Sequence, residues 1–225
     1  MKPRSAFPSI EWQETIDSTN SEAKRRSGAL DNLSVLAALE QTAGRGRGSH
    51  SWISAPGENL TFTVVLRFGA GGISPLPASE AVRITHFCTL AVCDLLESEG
   101  LQPRIKWPND VWVGDRKICG ILIENSFAEG CVAESIVGIG LNLNQTAFDT
   151  ALPNPVSLRQ LTGSEYAPAA TLDRLYNEIC RRAEQLSSAD GRSALELEFS
   201  KRMFVIDKGL QAGIDAAIED FEARR

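Results

Sequence analysis

The sequence predicts an α+β domain, a mixed and largely antiparallel sheet flanked by helices. Three observations carry this. Leu60–Arg67 alternates apolar and polar residues with the period of a strand, and so does Ser135–Asn144. Between and after them, Ala78–Glu99 and Leu172–Leu186 place apolar residues at helical spacing. Two closely spaced turn signals, Pro108-Asn109-Asp110 and Gly114-Asp115-Arg116, break Arg104–Glu124 into short strands.

At 225 residues the length suits one full-sized domain, or one domain with a small appendage. With 43% hydrophobic and 23% charged residues the chain has the composition of a globular protein with a substantial core. A formal net charge of -6 argues against wrapping nucleic acid, which calls for a basic face. The cysteines Cys88, Cys93, Cys119, Cys131 and Cys180 form no CxxC pair and no Cys/His ligand spacing, and read as reduced thiols in or near the core. No metal site is expected from side chains. No apolar run reaches the ~20 residues of a membrane span, and Met1–Ile10 lacks the hydrophobic stretch of a secretion signal. A cytoplasmic protein is the default expectation.

Taken in order, Glu11–Ile16 reads as a short strand and Asp17-Ser18-Thr19-Asn20 as a run of capping residues. Glu22, three residues after Thr19, completes a capping box, with a helix to about Ser27 and Gly28 at its end. One of these hydroxyls can cap while another faces an anion at the helix N-terminus. Ser34–Glu40 is a buried strand that delivers Gln41 and Thr42 into Gly44-Arg45-Gly46-Arg47-Gly48-Ser49-His50-Ser51-Trp52. This stretch reads either as a flexible polar linker or as a loop that wraps an anion with exposed N–H groups and clamps it with guanidinium. Strands on both sides favour the second.

In the helix from Ala78 to Glu99, Gly100 is the terminating residue and His86 is packing or surface. Strands then end at Trp107, run through Val113, and resume over Lys117–Glu124; Lys117 is either solvated or turned into a site. In Ser135–Asn144, Val137, Ile139, Leu141 and Leu143 share a core face. Gly138, Gly140 and Asn142 share the other, a slot for a flat ligand with an amide at its edge. The remainder is helical over Leu172–Leu186 and Ala194–Phe204, divided at Gly191.

Together these motifs resemble the biotin–protein ligases. The resemblance is carried by Asp17-Ser18-Thr19-Asn20, then Gln41-Thr42-Ala43-Gly44-Arg45-Gly46-Arg47 with Trp52 following, then Lys106-Trp107-Pro108-Asn109-Asp110. It continues through Asp115-Arg116-Lys117-x-x-Gly120-Ile121-Leu122-x-Glu124 and Gly138-Ile139-Gly140-Leu141-Asn142, covering residues 12 to 145. Val156-Ser157-Leu158 and Leu161-Thr162-Gly163 look like the family's continuation.

The resemblance implies the class II aminoacyl-tRNA synthetase/biotin synthetase-like fold. It implies a ligase that forms biotinyl-5'-AMP from biotin and ATP with Mg²⁺, and passes biotin to a lysine of a biotin carboxyl carrier domain. By position, Ser18, Thr19, Asn20 and Gln41 resemble residues around the ureido head of biotin, with Gly120 also on the biotin side. Arg45, Gly46 and Arg47 resemble the loop over biotin and the adenylate phosphate, Arg47 being the main clamp. Trp52 resembles the residue that closes this loop on the adenosine side. Lys106, beside the carboxylate and α-phosphate, and Arg47 are the expected catalytic residues. Lys117 and Asn109 fall on the ATP side, and Gly138, Gly140 and Asn142 on the adenine-side strand.

Two departures stand out. A glycine common in the family three residues before the loop tryptophan is Ser49 here, the glycine being Gly48. The catalytic domain is expected over residues 1–205, with 206–225 a truncated start of the family's small β-barrel and Phe221–Arg224 its first strand. No helix-turn-helix precedes Trp12, so a repressor role is not expected, and a homodimer is left open. The competing readings are a lipoate– or octanoate–protein ligase of the same fold, a Gly-Arg RNA-binding module, and a biotin-binding protein with impaired catalysis.

Overall fold

The computed structural model describes residues 10–204 and residue 219. An eight-stranded sheet has the order β1-β2-β3-β7-β6-β5-β4-β8. Its strands are β1 (Ile10–Ile16), β2 (Ser34–Gln41), β3 (Leu60–Arg67), β4 (Pro103–Lys106), β5 (Asp110–Val113), β6 (Arg116–Ala128), β7 (Cys131–Leu141) and β8 (Met203–Phe204). Only β1 with β2 and β4 with β8 pair in parallel, so the sheet is mixed and largely antiparallel. The helices are α1 (Thr19–Arg25), α2 (Val82–Ser98), α3 (Leu158–Thr162), α4 (Pro168–Glu184) and α5 (Ala189–Arg202).

The strand pleat separates the two faces of the sheet. Leu60, Phe62, Val64 and Leu66 of β3, with Val137, Ile139 and Leu141 of β7, join the main core, to which α2, α4 and α5 contribute. The opposite face carries Val65 and Ile136, which pack with Ala23 and Leu30 beside α1. Thr61 and Thr63 also lie on that second face. Both are buried, because each hydroxyl is hydrogen-bonded: Thr61 to the Ala38 carbonyl, Thr63 to side chains of α1. The main core thus supports the sheet from behind and leaves its other face free for a site.

Several local expectations change in register. Ser18, not Thr19, caps α1, its side chain accepting from the Ser21 N–H. Thr19 is drawn away because its N–H and hydroxyl both donate to Gln41 Oε1, at 2.8 and 3.1 Å. The helix ends at Arg25, and Gly28 falls inside a short 3₁₀ turn, Ser27–Ala29. Gly191 does not divide the last two helices; the break is at Ser188, whose side chain caps α5 by accepting from the Gly191 N–H at 3.0 Å. The hairpin joining β6 and β7 is longer than its sequence suggests, because residues 125–128 still pair with residues 131–135 at a half-exposed sheet end, turning at Glu129 and Gly130 with φ of 52° and 76°.

His86 proves to be packing, buried and stacked on Phe199 with ring centroids 4.1 Å apart. Burial depresses its pKa to about 4. Cys88, Cys93 and Cys119 are buried free thiols and Cys131 and Cys180 are half-buried ones. No helix among the described residues is long and apolar enough to cross a membrane. The expected domain limit at residue 205 and the strand expected over Phe221–Arg224 lie outside the described residues.

Candidate active site

The stretch that follows β2 folds as a hairpin. The Gly46 N–H donates to His50 O, the His50 N–H to Arg47 O and the Trp52 N–H to Gly44 O, at 2.8, 3.1 and 3.0 Å. Arg45 and Ser51 form an antiparallel bridge across it. Gly48 takes a φ of +60° in the turn, a conformation that glycine adopts freely. The glycine that differs from the resembled pattern therefore stands where this turn needs one. The Gly46, His50 and Trp52 N–H groups are thus used inside the hairpin, and its side chains Arg45 and Arg47 line the cavity beneath.

Under the hairpin lies a cavity of about 270 Å³. Its floor is made by β6 and β7, where Gly120 stands directly across from Gly140 and Leu122 from Gly138. Gly138 and Gly140, expected to form a slot along β7, line this cavity, and the chain itself takes the space directly above each. A Cβ at Gly138 would lie 2.2 Å from Asn20 Oδ1, and one at Gly140 would lie 2.3 Å from Trp52 Cε2. A Cβ at Gly120 would meet the same indole at 3.0 Å. The glycines thus make room for the Asn20 amide and the Trp52 ring, which in turn form the cavity wall. The indole N–H of Trp52 is buried and has no protein acceptor.

The cavity has a neutral polar part and a cationic part. At the first, Ser18, Thr19, Asn20 and Gln41 all line the cavity. Thr63 ties two of them together: its hydroxyl donates to Asn20 Oδ1 at 2.6 Å and sits 2.8 Å from the Thr19 hydroxyl. Thr63 was missed by sequence reasoning, its only signal being a polar residue on the non-core face of a strand. Two residues further along β7, about 7 Å at ~3.4 Å per residue, Trp52 and Lys117 lie over Gly140 and Gly120. Arg45, Gly46, Arg47 and Asn109 line the same cavity. The Arg47 side chain donates to Asn109 Oδ1 at 3.4 Å, and the Asn109 amide group in turn donates to the Ile121 carbonyl. Lys117 is paired with Asp110 at 2.8 Å.

Arg45 is already engaged, its two Nη atoms 3.1 and 2.9 Å from the Glu124 carboxylate. Lys24 reaches the same carboxylate. Burial pushes the Glu124 pKa up, but hydrogen bonds from Lys24, Arg45 and Asn20 override it and leave it below the usual value.

A second cavity of about 330 Å³ adjoins the first, sharing His50, Ser51, Trp52, Asp110 and Lys117 with it. Lys106 and Asn142 line this one and not the first. The Lys106 Nζ is 4.5 Å from the centroid of Trp112, which draws the side chain across that ring. The structure therefore divides the two lysines differently from the resemblance: Lys117 stands where the cavities meet, and Lys106 beside the second. Asn142 leaves the strand face as well, donating to the Val156 carbonyl at 3.0 Å. Phe148, Leu152 and Pro153 complete this cavity, from a connecting segment without periodicity that sequence reasoning passed over. Among the described residues no group of three His, Cys, Asp or Glu side chains could hold a metal ion.

Comparison with known proteins finds named relatives of the sequence and of the fold. The chain is 34% identical over 179 residues to the biotin–[acetyl-CoA-carboxylase] ligase of Paracoccus denitrificans, covering 76% of this chain and 72% of that protein. It is 32% identical to the bifunctional ligase/repressor BirA of Bacillus spizizenii, of which it spans 50% of the length. The fold superposes on the biotin protein ligase of Aquifex aeolicus in complex with biotin and ATP with a TM-score of 0.72, at 24% identity, covering 88% of this chain and 79% of that one. Residues 7–142, which hold the hairpin, the glycine floor and both lysines, match the model of one family, and the chain belongs to it: the biotin/lipoate A/B protein ligase family.

Proposed function

We propose that this protein is an ATP-dependent biotin–protein ligase, and that its two joined cavities hold the two reactants of adenylate formation. The observation that carries the reading is the junction: Lys117 and Trp52 stand between a cavity walled by amides and hydroxyls, which Arg47 also lines, and a second, more apolar one. The first suits a neutral ureido head with a carboxylate at its far end. The second suits a nucleoside. At the junction a biotin carboxylate oxygen attacks the α-phosphorus of ATP, the bond to the β-phosphate oxygen breaks, and pyrophosphate leaves. A carrier-domain lysine amine then attacks the acyl carbon and AMP departs.

The obstacle is charge. Two unit negative charges ~4 Å apart at an effective dielectric of ~20 repel by about 4 kcal/mol, roughly three powers of ten in rate. Fixed cations offset this without reorganising during the reaction, and no side chain needs to be acylated. Arg47, held by one long hydrogen bond to Asn109, can settle on the phosphate as the ligand binds, before the chemical step. Lys117 is oriented by Asp110, and Lys106 approaches from the second cavity. Asp110 and Glu124 are both committed to cations. A divalent ion therefore enters on the triphosphate through phosphate and water oxygens, a mode suited to Mg²⁺.

The partner follows from the reaction: a biotin carboxyl carrier domain of a biotin-dependent carboxylase. The test is biotin-dependent release of pyrophosphate from ATP, followed by transfer to such a domain, with lipoate and octanoate offered in parallel. Biotin-dependent release with transfer supports the proposal. Turnover of lipoate or octanoate in its place, or binding of biotin without release, overturns it.

A further inference from the structure

Glu124 lines neither cavity, yet it is tied to both walls of the first. It follows Gly120 and Leu122 on the same face of β6, one pleat beyond the glycine floor, opposite Ile136. Its carboxylate takes both Nη atoms of Arg45, the Lys24 ammonium and the Asn20 amide, and its side chain is 19% exposed. Arg45 opens the hairpin and is bridged to Ser51 across it; Arg47 follows two residues later. Asn20 is the side chain seated over Gly138. One carboxylate therefore joins sheet, α1 and hairpin.

We propose that Glu124 is a positioning residue for the ligase reaction, holding Arg45 and, through it, the hairpin 44–52 in register over the glycine floor so that Arg47 meets the phosphate in one place. This rests on the ligase reading above. The physical reason is pre-organisation: a bidentate carboxylate–guanidinium pair fixes direction as well as distance, and a site residue left without such support loses its geometry. Arg45 in this arrangement anchors the loop and does not itself clamp the anion. Lys24 shares the carboxylate but is not part of the hairpin, so it separates bracing of α1 from control of the loop.

The experiment uses the full chain with E124Q, R45Q, the E124Q/R45Q double variant and K24M. Glutamine keeps the volume and an acceptor for Asn20 while removing the charge. Two quantities are read: trypsin cleavage after Arg47 without ligands, and the release rate of biotinyl-5'-AMP. E124Q and R45Q should each raise both about tenfold, the equivalent of ~1.4 kcal/mol, with the KM for biotin rising and kcat moving less than threefold. The double variant should go no further than either single one, and K24M should match the unsubstituted protein. Effects that multiply in the double variant overturn the proposal, as does an E124Q protein with unchanged cleavage or a K24M protein that reproduces E124Q. If the unsubstituted chain forms no biotinyl-5'-AMP, the ligase reading falls, while the cleavage series still decides whether Glu124 controls the hairpin.

Discussion

Replacing Gly140 by alanine tests the link between the sheet and the hairpin with one carbon atom. The added Cβ would sit 2.3, 2.6 and 2.7 Å from Trp52 Cε2, Cζ2 and Nε1. A comfortable carbon–carbon contact is ~3.5 Å or more, so about 1.2 Å must be found. The strand cannot supply it: Gly140 lies between β3 and β6, paired with Thr61 on one side and Gly120 on the other. The ring must move, and the hairpin moves with it, because Trp52 is its last residue and bonds back to Gly44. Overpacking of this kind costs ~1–3 kcal/mol. At ~2–4 °C per kcal/mol for a chain this size, unfolding shifts by several degrees while the protein stays folded. The larger effect falls on function. With the wall between the cavities displaced, the KM for ATP should rise at least about tenfold and trypsin should cut the hairpin faster. Calorimetry, initial-rate kinetics and limited proteolysis together measure this. A G140A protein with unchanged kinetics and an unmoved Trp52 would refute the argument, as would one that fails to fold.

The other predictions concern the cations, the polar wall and pH. Arg47→Ala, Lys117→Ala and Lys106→Ala should each lower biotin-dependent pyrophosphate release by about a hundredfold or more; Arg47→Ala should leave thermal unfolding within a degree or two, because its exposed side chain makes one 3.4 Å hydrogen bond, to Asn109, among the described residues. Thr63→Val removes a buried hydroxyl that serves Thr19 and Asn20; leaving those groups short of a partner should cost ~1–3 kcal/mol, seen as a raised KM for biotin with ATP kinetics little changed. His86 has a folded-state pKa of about 4 against an ordinary 6.5. The unfolded chain therefore binds the extra proton between those values. The stability is complete above pH ~6.5 and is lost as pH falls towards ~4, by up to about 3 kcal/mol. His86→Leu should flatten that limb of a stability–pH curve measured by denaturant unfolding, and an unchanged slope would count against the buried neutral imidazole.

Much of this was legible in the residues because β-strands report their faces directly. The alternation in Leu60–Arg67 and Ser135–Asn144 separated the main-core face from the other face correctly, since membership of the main core follows the pleat. The paired glycines on β7 were also correctly read as making space. Their occupants were not legible, because Asn20 and Trp52 arrive from distant segments and only the fold brings them together. The same holds for Thr63, whose importance lies in its neighbours, and for the division of Lys106 and Lys117 between cavities, which is decided by the Trp112 ring and by Asp110. Residues 145–155 carry no periodic pattern, and their role in the second cavity follows from where the chain passes.

The hairpin that closes the first cavity is held by three amide bonds of its own, from Gly46, His50 and Trp52. Its bend is therefore independent of whatever it grips, in the way that the jaw of a tool keeps its shape when the insert is changed. Exchanging the residues near its tip, Arg47 and Ser49, would retune which anion is grasped without rebuilding the arm, whereas disturbing the turn glycine Gly48 would alter the reach for every ligand alike.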